Sequence, residues 1–403
     1  MSRMAALALL LAASIAPMAL AQTAPADADA ALEQARGLLQ QGEKEKALAV
    51  LDALIARTPT HEARFRRAML LHDLGRDELA LAEYDALAAD TPDAATFYNR
   101  GWILATRDPP GNEKALADFT RAAALDPTDA DAWTARAFVL RRLKRAGEAN
   151  AAYGEALARD RRNEAALLGR AELLAEAGDA ERAIAAYGNA IRALPKRVAT
   201  RSGRAALYAA AGRHREAIKD LDRAITLAPA DAALRVSRAL ALRALGKAAQ
   251  ARADVDAALQ RDPRSADALN VLGLLRADAG AHLQAIDAYD RALELDSAGD
   301  GIYRNRGNSY VALGRYDRAI RDYNASLRLA PGSAETLAAK GETYRVIDDE
   351  VRAVEEFDAA IKADPGVART WYRRALARDT LGDAAGAAAD RARAAALDRA
   401  FRQ

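Results

Sequence analysis

Cysteine is absent from the 403 residues, and its absence excludes disulfide bonds, thiolate catalysis, cysteine-based metal sites and a lipid-modified N-terminal cysteine. Aromatic residues make up only 5% of a chain that is 51% hydrophobic, so its apolar half consists mainly of small and aliphatic side chains, alanine above all. The net charge is only +2, with acids and bases interspersed, and it implies neither nucleic acid nor an acidic membrane as a partner. What remains is a composition that favours closely packed helices.

Long apolar runs are also missing, except at the N-terminus. Arg3 precedes an apolar run from Met4 to Ile15, and Ala19-Leu20-Ala21 has the small-x-small pattern that signal peptidase recognises. This predicts a bacterial-type signal peptide over 1–21, cleaved after Ala21, and a short linker over 22–27; an uncleaved anchor is the alternative. The run is shorter than a bilayer span requires. We therefore expect a periplasmic or secreted mature protein without an integral membrane span.

One short stretch of sequence recurs along the chain. GRYDRAIRDYNASLRLAP at 314–331 has a near copy, GRHREAIKDLDRAITLAP, at 212–229. Its fixed points are a small residue, an aromatic or large residue four places later, a small residue three places after that, and a proline. They occupy Ala319, Tyr323, Ser326 and Pro331 in one copy and Ala183, Tyr187, Ala190 and Pro195 in another. The period is 34 residues, as from Pro195 to Pro229.

Each fixed point has a mechanical reason. Small residues let paired helices approach closely, so we expect Gly307 and Ala319 to face each other within a helical hairpin. Tyr323 is then predicted to fill the gap to the next pair of helices. Gly314 permits a tight turn between the two helices, and Pro331 stops the second helix. A single hairpin of this kind leaves an apolar face uncovered, so the hairpins are expected to stack.

The spacing and the residue set resemble the tetratricopeptide repeat, whose pattern is W-x2-L-G-x2-Y, then A, F and P. The resemblance covers almost all of the predicted mature chain and implies an all-α fold, a right-handed α-solenoid (superhelix) of stacked helix-turn-helix hairpins over 28–403. Eleven repeats are expected, and they begin near residues 28, 61, 94, 130, 164, 198, 232, 266, 300, 334 and 368. In the last repeat Arg391 replaces the aromatic residue, which suits an array end that no further repeat covers.

No pattern typical of catalysis or cofactor binding is present. The four histidines, His61, His72, His214 and His282, lack metal-ligand spacing, and the sequence contains no HExxH motif, P-loop or dinucleotide fingerprint. The many carboxylates are expected on solvent-facing surfaces with arginine partners. The sequence therefore predicts a protein that is not an enzyme and that has no cofactor and no metal site.

Family members generally hold peptides or protein segments in a concave groove lined by the first helix of each pair. Carried over to this chain, the groove positions of repeats two to four are occupied by Phe65, Met69, Tyr98, Asn99, Trp102, Phe138, Arg141 and Arg142. Exposed aromatic residues beside arginines are typical interface anchors. The alternative is that curvature buries these rings between adjacent first helices.

Two other groove segments differ from this one. In repeat six the same positions hold only small residues, Gly203 among them, which predicts a smooth floor. In repeats nine to eleven the resemblance points to a carboxylate clamp, formed by Arg304, Asn308, Arg369 and Arg373. The middle position of such a clamp holds Ala339 in place of asparagine. These residues are also explained by the average sequence of the family.

Together these features predict an exported, non-catalytic scaffold that binds a peptide or protein segment in the groove. An envelope-assembly accessory module that binds glycan or lipid is the alternative, because aromatic rings also stack on sugars. An enzyme with an unrecognised site is a third hypothesis. Self-association through the end repeats stays open.

Overall fold

The computed structural model describes residues 26–401, and over these residues the chain consists of α-helices and one short 3-10 helix, without a β-strand. The all-α prediction is therefore confirmed. The predicted signal peptide lies outside the described residues. Within the described part, no helix combines the length and the apolar character that crossing a membrane requires. The chain divides into two compact units, unit 1 up to Leu173 and unit 2 from Leu174 onward.

Unit 1 contains four complete helical pairs and most of a ninth helix. Its helices are α1 (Ala26–Gln40), α2 (Lys44–Arg57), α3 (His61–Asp73), α4 (Asp77–Asp90), α5 (Ala94–Thr106), α6 (Asn112–Leu125), α7 (Ala130–Arg142), α8 (Ala146–Arg159) and α9 (Glu164–Glu176), whose last turn belongs to unit 2.

Unit 2 continues the same alternation of a first and a second helix. Its helices are α10 (Ala180–Ala193), α11 (Val198–Ala210), α12 (His214–Leu227), α13 (Ala232–Ala244), α14 (Ala248–Arg261), α15 (Ala266–Asp278), α16 (His282–Leu295), α17 (Asp300–Ala312), α18 (Tyr316–Leu329), α19 (Ala334–Val346), α20 (Glu350–Ala363), α21 (Ala368–Thr380) and α22 (Ala384–Leu397). The 3-10 helix (Arg399–Phe401) follows.

Consecutive helices pack as antiparallel hairpins, and successive hairpins stack on one another within each unit. In addition, first helices of neighbouring hairpins contact each other directly, as α3 does with α5 and α5 with α7 in unit 1, and as α15 does with α17 in unit 2. Second helices lack such extensive mutual contacts. The first helices therefore lie closer together and form the inner side of each unit, which is the groove of an α-solenoid.

Local sequence explains where the helices begin and turn. At the start of α5 the Asp93 side chain accepts a hydrogen bond from the Thr96 backbone N–H at 2.9 Å, the usual arrangement of an N-cap. Between α17 and α18 Gly314 adopts φ +68°, the left-handed conformation that glycine takes without strain. Lys144 and Asp348 occupy the same place in their hairpins, with φ of 59° in both.

The interior of each hairpin combines alanines with one large ring. Ala319 is fully buried and Tyr323 almost so, and full burial of a large apolar side chain stabilises a fold by about 1.5–3 kcal/mol. The contact of Gly307 with Ala319 stays a prediction, but Gly307 has a further neighbour that the sequence did not predict, the ring of Tyr323. A Cβ placed on Gly307 would lie 2.7 Å from the ring of Tyr323, so this ring fills the space beside Gly307 in its own hairpin. Gly101 with Phe119 repeats the arrangement in unit 1.

In some hairpins the eighth residue of the first helix is alanine and not glycine. There the aromatic ring of the second helix lies against the next hairpin. In α7 that residue is Ala137, and the ring of Tyr153 lies instead against Gly169 of the next hairpin, with its nearest ring carbon 2.6 Å from an added Cβ. Tyr187 lies against Gly203 in the same way, at 2.6 Å. The ring of Tyr187, itself only 6% exposed, fills the space that Gly203 leaves, and the smooth floor of repeat six stays a prediction.

A series of ion pairs links the two helices of many hairpins, and the acid of each pair except Lys340–Glu356 is buried. The seventh residue of the first helix is a cation and the seventh residue of the second is an acid. We call this series the buried ladder; its pairs are Arg67–Glu83, Arg100–Asp118, Arg204–Asp220, Arg238–Asp254, Arg306–Asp322, Lys340–Glu356 and Arg374–Asp390.

Five arginine pairs of the buried ladder have bidentate geometry, whereas Arg67 shares Glu83 with Arg64. Arg306 donates from Nε and Nη2 to the two oxygens of Asp322, both at 2.7 Å, and from Nη1 to Asp290 of the preceding hairpin at 2.6 Å. Asp322 is 6% exposed, so the expectation that carboxylates stay on solvent-facing surfaces is wrong for this set. In the equivalent pair of unit 1, the hydrogen bonds to Asp118 raise the pKa of Arg100. One guanidinium thus fixes both its own hairpin and the stacking of the layers.

The last hairpin ends in charged and aromatic contacts. Arg391, in the place of the buried ring, is exposed and pairs with Asp379. Phe401 of the 3-10 helix packs on Tyr372, with the ring centroids 5.3 Å apart.

Candidate functional site

The eight predicted groove residues of repeats two to four lie on three adjacent first helices of unit 1. Phe65 and Met69 belong to α3, Tyr98, Asn99 and Trp102 to α5, and Phe138, Arg141 and Arg142 to α7. We call this surface the unit 1 groove. The contacts of α5 with both neighbours bring the three helices side by side. Trp102 and Phe138, which are 36 residues apart in sequence, consequently come within 5.5 Å between ring centroids.

Three rings of this surface, Tyr98, Trp102 and Phe138, form an aromatic cluster, and the fourth, Phe65, packs on the buried ring of Tyr84 at 5.8 Å. Each is partly buried and packs against the core of unit 1. Trp102 meets the buried ring of Phe119 edge-to-face at 5.3 Å, within the range that stabilises aromatic pairs. The rings are thus neither fully exposed anchors nor fully buried between the first helices, which were the two alternatives from the sequence. One side of each ring supports the fold, and part of its surface stays open on the inner side of the helices.

The polar groups of the unit 1 groove are few. Asn99 donates from its side-chain amide to the backbone oxygen of Ala95 at 2.9 Å, which keeps the side chain close to its own helix. Burial raises the pKa of Tyr98 to about 12, so its hydroxyl keeps its proton at neutral pH and is able to donate a hydrogen bond. Met69, at 38% exposure, contributes a flexible apolar side chain to the open surface.

Two arginines close α7 at one edge of the unit 1 groove. Arg141 pairs with Glu172 through Nη1, at 2.8 Å. Arg142, an exposed residue, donates from Nη1 to the backbone oxygen of Ala105 on α5 at 2.6 Å. Its guanidinium carbon lies 5.7 Å from the ring centroid of Phe138, a cation–π distance.

The residues of the predicted carboxylate clamp lie on first helices of unit 2, and we call this surface the unit 2 groove. Arg304 and Asn308 belong to α17, and Arg369 and Arg373 to α21. Three of the four already have partners. Arg304 pairs with Glu335 at 3.1 Å, and Arg373 lies 3.7 Å from Glu342. Asn308 accepts a hydrogen bond from the hydroxyl of Tyr323 at 2.8 Å.

Acidic residues therefore stand among the clamp residues. Glu335 and Glu342 belong to α19, the helix between α17 and α21, where Ala339 occupies the middle position. A ligand carboxylate would meet these two acids and compete with them for the same guanidinium groups. The presence of these acids in the groove was predictable from the sequence, because both occupy groove positions of repeat ten.

Further contacts in the unit 2 groove escaped sequence reasoning. Arg243 forms a bidentate pair with Asp278, at 2.6 and 2.9 Å, and Asn305 donates to Asn270 at 3.0 Å. Each contact joins first helices of neighbouring hairpins. Both contacts join residues 35 positions apart, close to the 34-residue period of the repeat. This spacing is the sequence pattern that identifies such contacts.

Two histidines of unit 1 each contact a single acidic side chain. His61 lies 3.0 Å from Asp93 and His72 2.7 Å from Asp77, and each is one histidine beside one acid. Among residues 26–401, no group of three or more histidine, aspartate or glutamate side chains is arranged to hold a metal ion.

Comparison with known proteins identifies the repeat. A family model described as "Tetratricopeptide repeat" matches six stretches that together span most of the chain, residues 4–61, 32–95, 139–198, 168–232, 236–300 and 304–368. The chain belongs to the tetratricopeptide repeat family. Tetratricopeptide proteins typically act as non-catalytic scaffolds that bind proteins or peptides.

Two solved structures are similar to this chain, and the first of them shares its fold. A chain of the APC/C hetero-tetramer Cut9–Hcn1 shares the tetratricopeptide fold with a TM-score of 0.51 and 16% identity, over 87% of this chain and 76% of that one. A structure from the functional characterization of Pseudomonas aeruginosa pilF gives 0.43 and 18% identity, over 50% of this chain and 92% of that one. No curated protein matches the sequence.

Proposed function

We propose that this protein is an exported, non-catalytic scaffold that holds a segment of another protein in the unit 1 groove. The observation that carries the proposal is the half-open aromatic cluster. Tyr98, Trp102 and Phe138 stand beside one another on α5 and α7, each with one side fixed by the core. Rings that are already ordered lose little entropy when a partner covers them, and aromatic and arginine side chains dominate the binding energy of most interfaces.

Export rests on the sequence of residues 1–21 alone. Fractionation of cells that produce the full chain, with N-terminal sequencing of the recovered protein, tests it. We expect a periplasmic or secreted protein that begins at Gln22. A cytoplasmic protein that retains Met1 would contradict export but not binding in the groove.

Photo-crosslinking in living cells tests the binding surface. A photoreactive amino acid at Met69, which is exposed beside the aromatic cluster, is expected to capture a polypeptide. The matched control carries the same group at Leu283, which is 61% exposed on the second helix α16. Trp102→Ala in the Met69 protein is expected to reduce the adduct strongly, while circular dichroism shows unchanged helicity.

The remaining outcomes decide against the proposal. Capture of the same species at Met69 and Leu283 would show that the groove is not the binding surface. A protease-resistant adduct that contains glycan or lipid would support the envelope-assembly alternative. Loss of helicity in the Trp102→Ala protein would assign Trp102 to the core alone.

A further inference from the structure

The charged residues of the first helices α3, α5 and α7 are nearly all paired. On α3, Glu62 pairs with Arg66 and His72 with Asp77. On α5 the one charged residue is Arg100, which belongs to the buried ladder. On α7, Arg141 pairs with Glu172, whereas Arg136, at the buried-ladder position, lies over the ring of Trp133 at 5.4 Å and has no ion pair among the described residues.

Arg142 is the exception in the unit 1 groove. No carboxylate within residues 26–401 lies within ion-pair distance of its guanidinium group, and its hydrogen bond goes to a neutral backbone oxygen, that of Ala105. That bond and the ring of Phe138 hold the guanidinium group at the edge of the aromatic cluster. The surface therefore combines exposed parts of aromatic rings with one positive charge that lacks a counter-charge.

We propose that the segment bound in the unit 1 groove carries one acidic side chain, which pairs with Arg142, next to an apolar side chain that lies on Trp102 and Phe138. This inference rests on the proposed function and names the chemistry of its partner. Charge complementarity argues for it, because a carboxylate supplies the missing counter-charge and matches the fork of a guanidinium group. Arg142 donates only its Nη1 to Ala105, so other N–H groups are free to bind a carboxylate.

The inference commits to a side-chain carboxylate and not to the C-terminus of a partner. The pair Arg141–Glu172 brings α9 beside the end of α7, so the surface of unit 1 continues past Arg142. One uncompensated charge calls for one acid, since the neighbouring Arg141 is already paired.

Arg142 also stands in the last turn of α7, where a positive charge interacts favourably with the helix dipole. This structural role predicts that lysine replaces arginine without loss. A bidentate pair with a carboxylate predicts that lysine is the poorer residue.

The test begins with selection of binders from a random 12-residue peptide library displayed on phage, with the full chain as target and the Trp102→Ala protein as counter-target. Selected sequences are then made as acetylated and amidated peptides in matched pairs, with glutamate or glutamine at the acidic position. Tryptophan fluorescence measures binding in a protein with Trp133→Phe and Trp371→Phe, which leaves Trp102 as the one tryptophan of the three in the chain.

We expect the glutamate peptide to bind about tenfold more tightly than its glutamine partner, the effect of one charge-assisted hydrogen bond. Arg142→Gln should remove this difference without changing the affinity of the glutamine peptide, and Arg142→Lys should keep only part of it. The control Arg161→Gln, an exposed arginine between α8 and α9, should change neither affinity.

Several results would overturn the inference. Peptides that require Trp102 but bind equally with glutamate and glutamine would contradict it while leaving the proposed function intact. If the glutamine peptide bound only when its C-terminus was left free, the partner of Arg142 would be a C-terminal carboxylate and not an acidic side chain. Absence of any peptide that prefers the full chain to the Trp102→Ala protein would count against both proposals.

Discussion

The grooves of the two units use their first helices differently. In the unit 1 groove partly open rings stand beside Arg142, whose charge has no partner among the described residues. In the unit 2 groove arginines face acids of neighbouring helices, as Arg304 does with Glu335 and Arg243 with Asp278. The first surface has an unpaired charge beside open rings, whereas the arginines of the second surface are mostly paired, with Arg369 as an exception.

The structural frame beneath the two surfaces is the same. Both units place a buried ring beside a glycine, Phe119 at Gly101 and Tyr323 at Gly307, and both contain arginine pairs of the buried ladder. The frame uses residues on the sides of the helices that face one another, whereas the groove uses the side that faces inward. The difference therefore shows that this fold allows the recognition surface to change while the packing is kept.

The largest effect is expected when the buried ladder is broken in either unit. Asp322→Ala in unit 2 should lower the free energy of unfolding by about 3 kcal/mol, the lower end of the range for a broken buried pair, because Arg306 is itself 19% exposed. Asp118→Ala in unit 1 should have a similar effect. Urea unfolding followed by circular dichroism measures both, and hydrogen exchange locates the loss.

The matched control for this experiment is Asp290→Ala. Asp290 also pairs with Arg306, but its side chain is 47% exposed, so a loss of less than about 1 kcal/mol is expected. Equal losses for Asp290→Ala and Asp322→Ala would show that burial does not distinguish the two pairs. A large loss in one unit only would contradict the common frame.

A smaller effect is expected from moving a buried ring. In unit 1, Gly169→Ala places a Cβ 2.4 Å from Tyr153 and should destabilise the protein by about 1–3 kcal/mol. A second change, Ala137→Gly, should restore part of this loss, because it opens the place beside the ring within its own hairpin. In unit 2, Gly273→Ala meets Tyr289 at 2.3 Å and should cost a similar amount. Thermal unfolding of the single and double variants tests this rule, and it fails if Ala137→Gly deepens the loss.

The sequence predicts the local features of this structure better than the contacts between distant residues. The helices and their pairing follow from local periodicity, because alanine, the ring and proline recur at a fixed spacing. The place of the ring was predicted in part, because Tyr153 and Tyr187 lie against the next hairpin and the position of Tyr323 beside Gly307 of its own hairpin was missed. Gly307 and Ala137 fill the same repeat position, and the choice between two neighbouring cavities depends on one Cβ.

The buried ladder was missed for a related reason. Arginine and aspartate on helices of a soluble protein are ordinary surface residues, and only a spacing that returns in both helices of a hairpin marks Arg306 and Asp322 as a buried pair. The residues of the unit 1 groove came from family geometry. Their exposure depends on how closely α5 and α7 approach, and the sequence of each helix alone does not contain that distance.

Removing acids of the unit 2 groove should have the smallest effect on stability. The same change is the sharpest test of the contrast between the grooves. Glu335→Gln with Glu342→Gln leaves Arg304 and Arg373 without these partners and should change stability by less than about 1 kcal/mol, because Glu335 in particular is an exposed residue. If paired acids are what makes this surface self-satisfied, acidic peptides should bind the double variant in a second, salt-sensitive step. Titration in the Arg142→Gln background isolates that step. A double variant that binds acidic peptides no better than its parent would show that the difference between the grooves lies in the aromatic cluster and not in the charges.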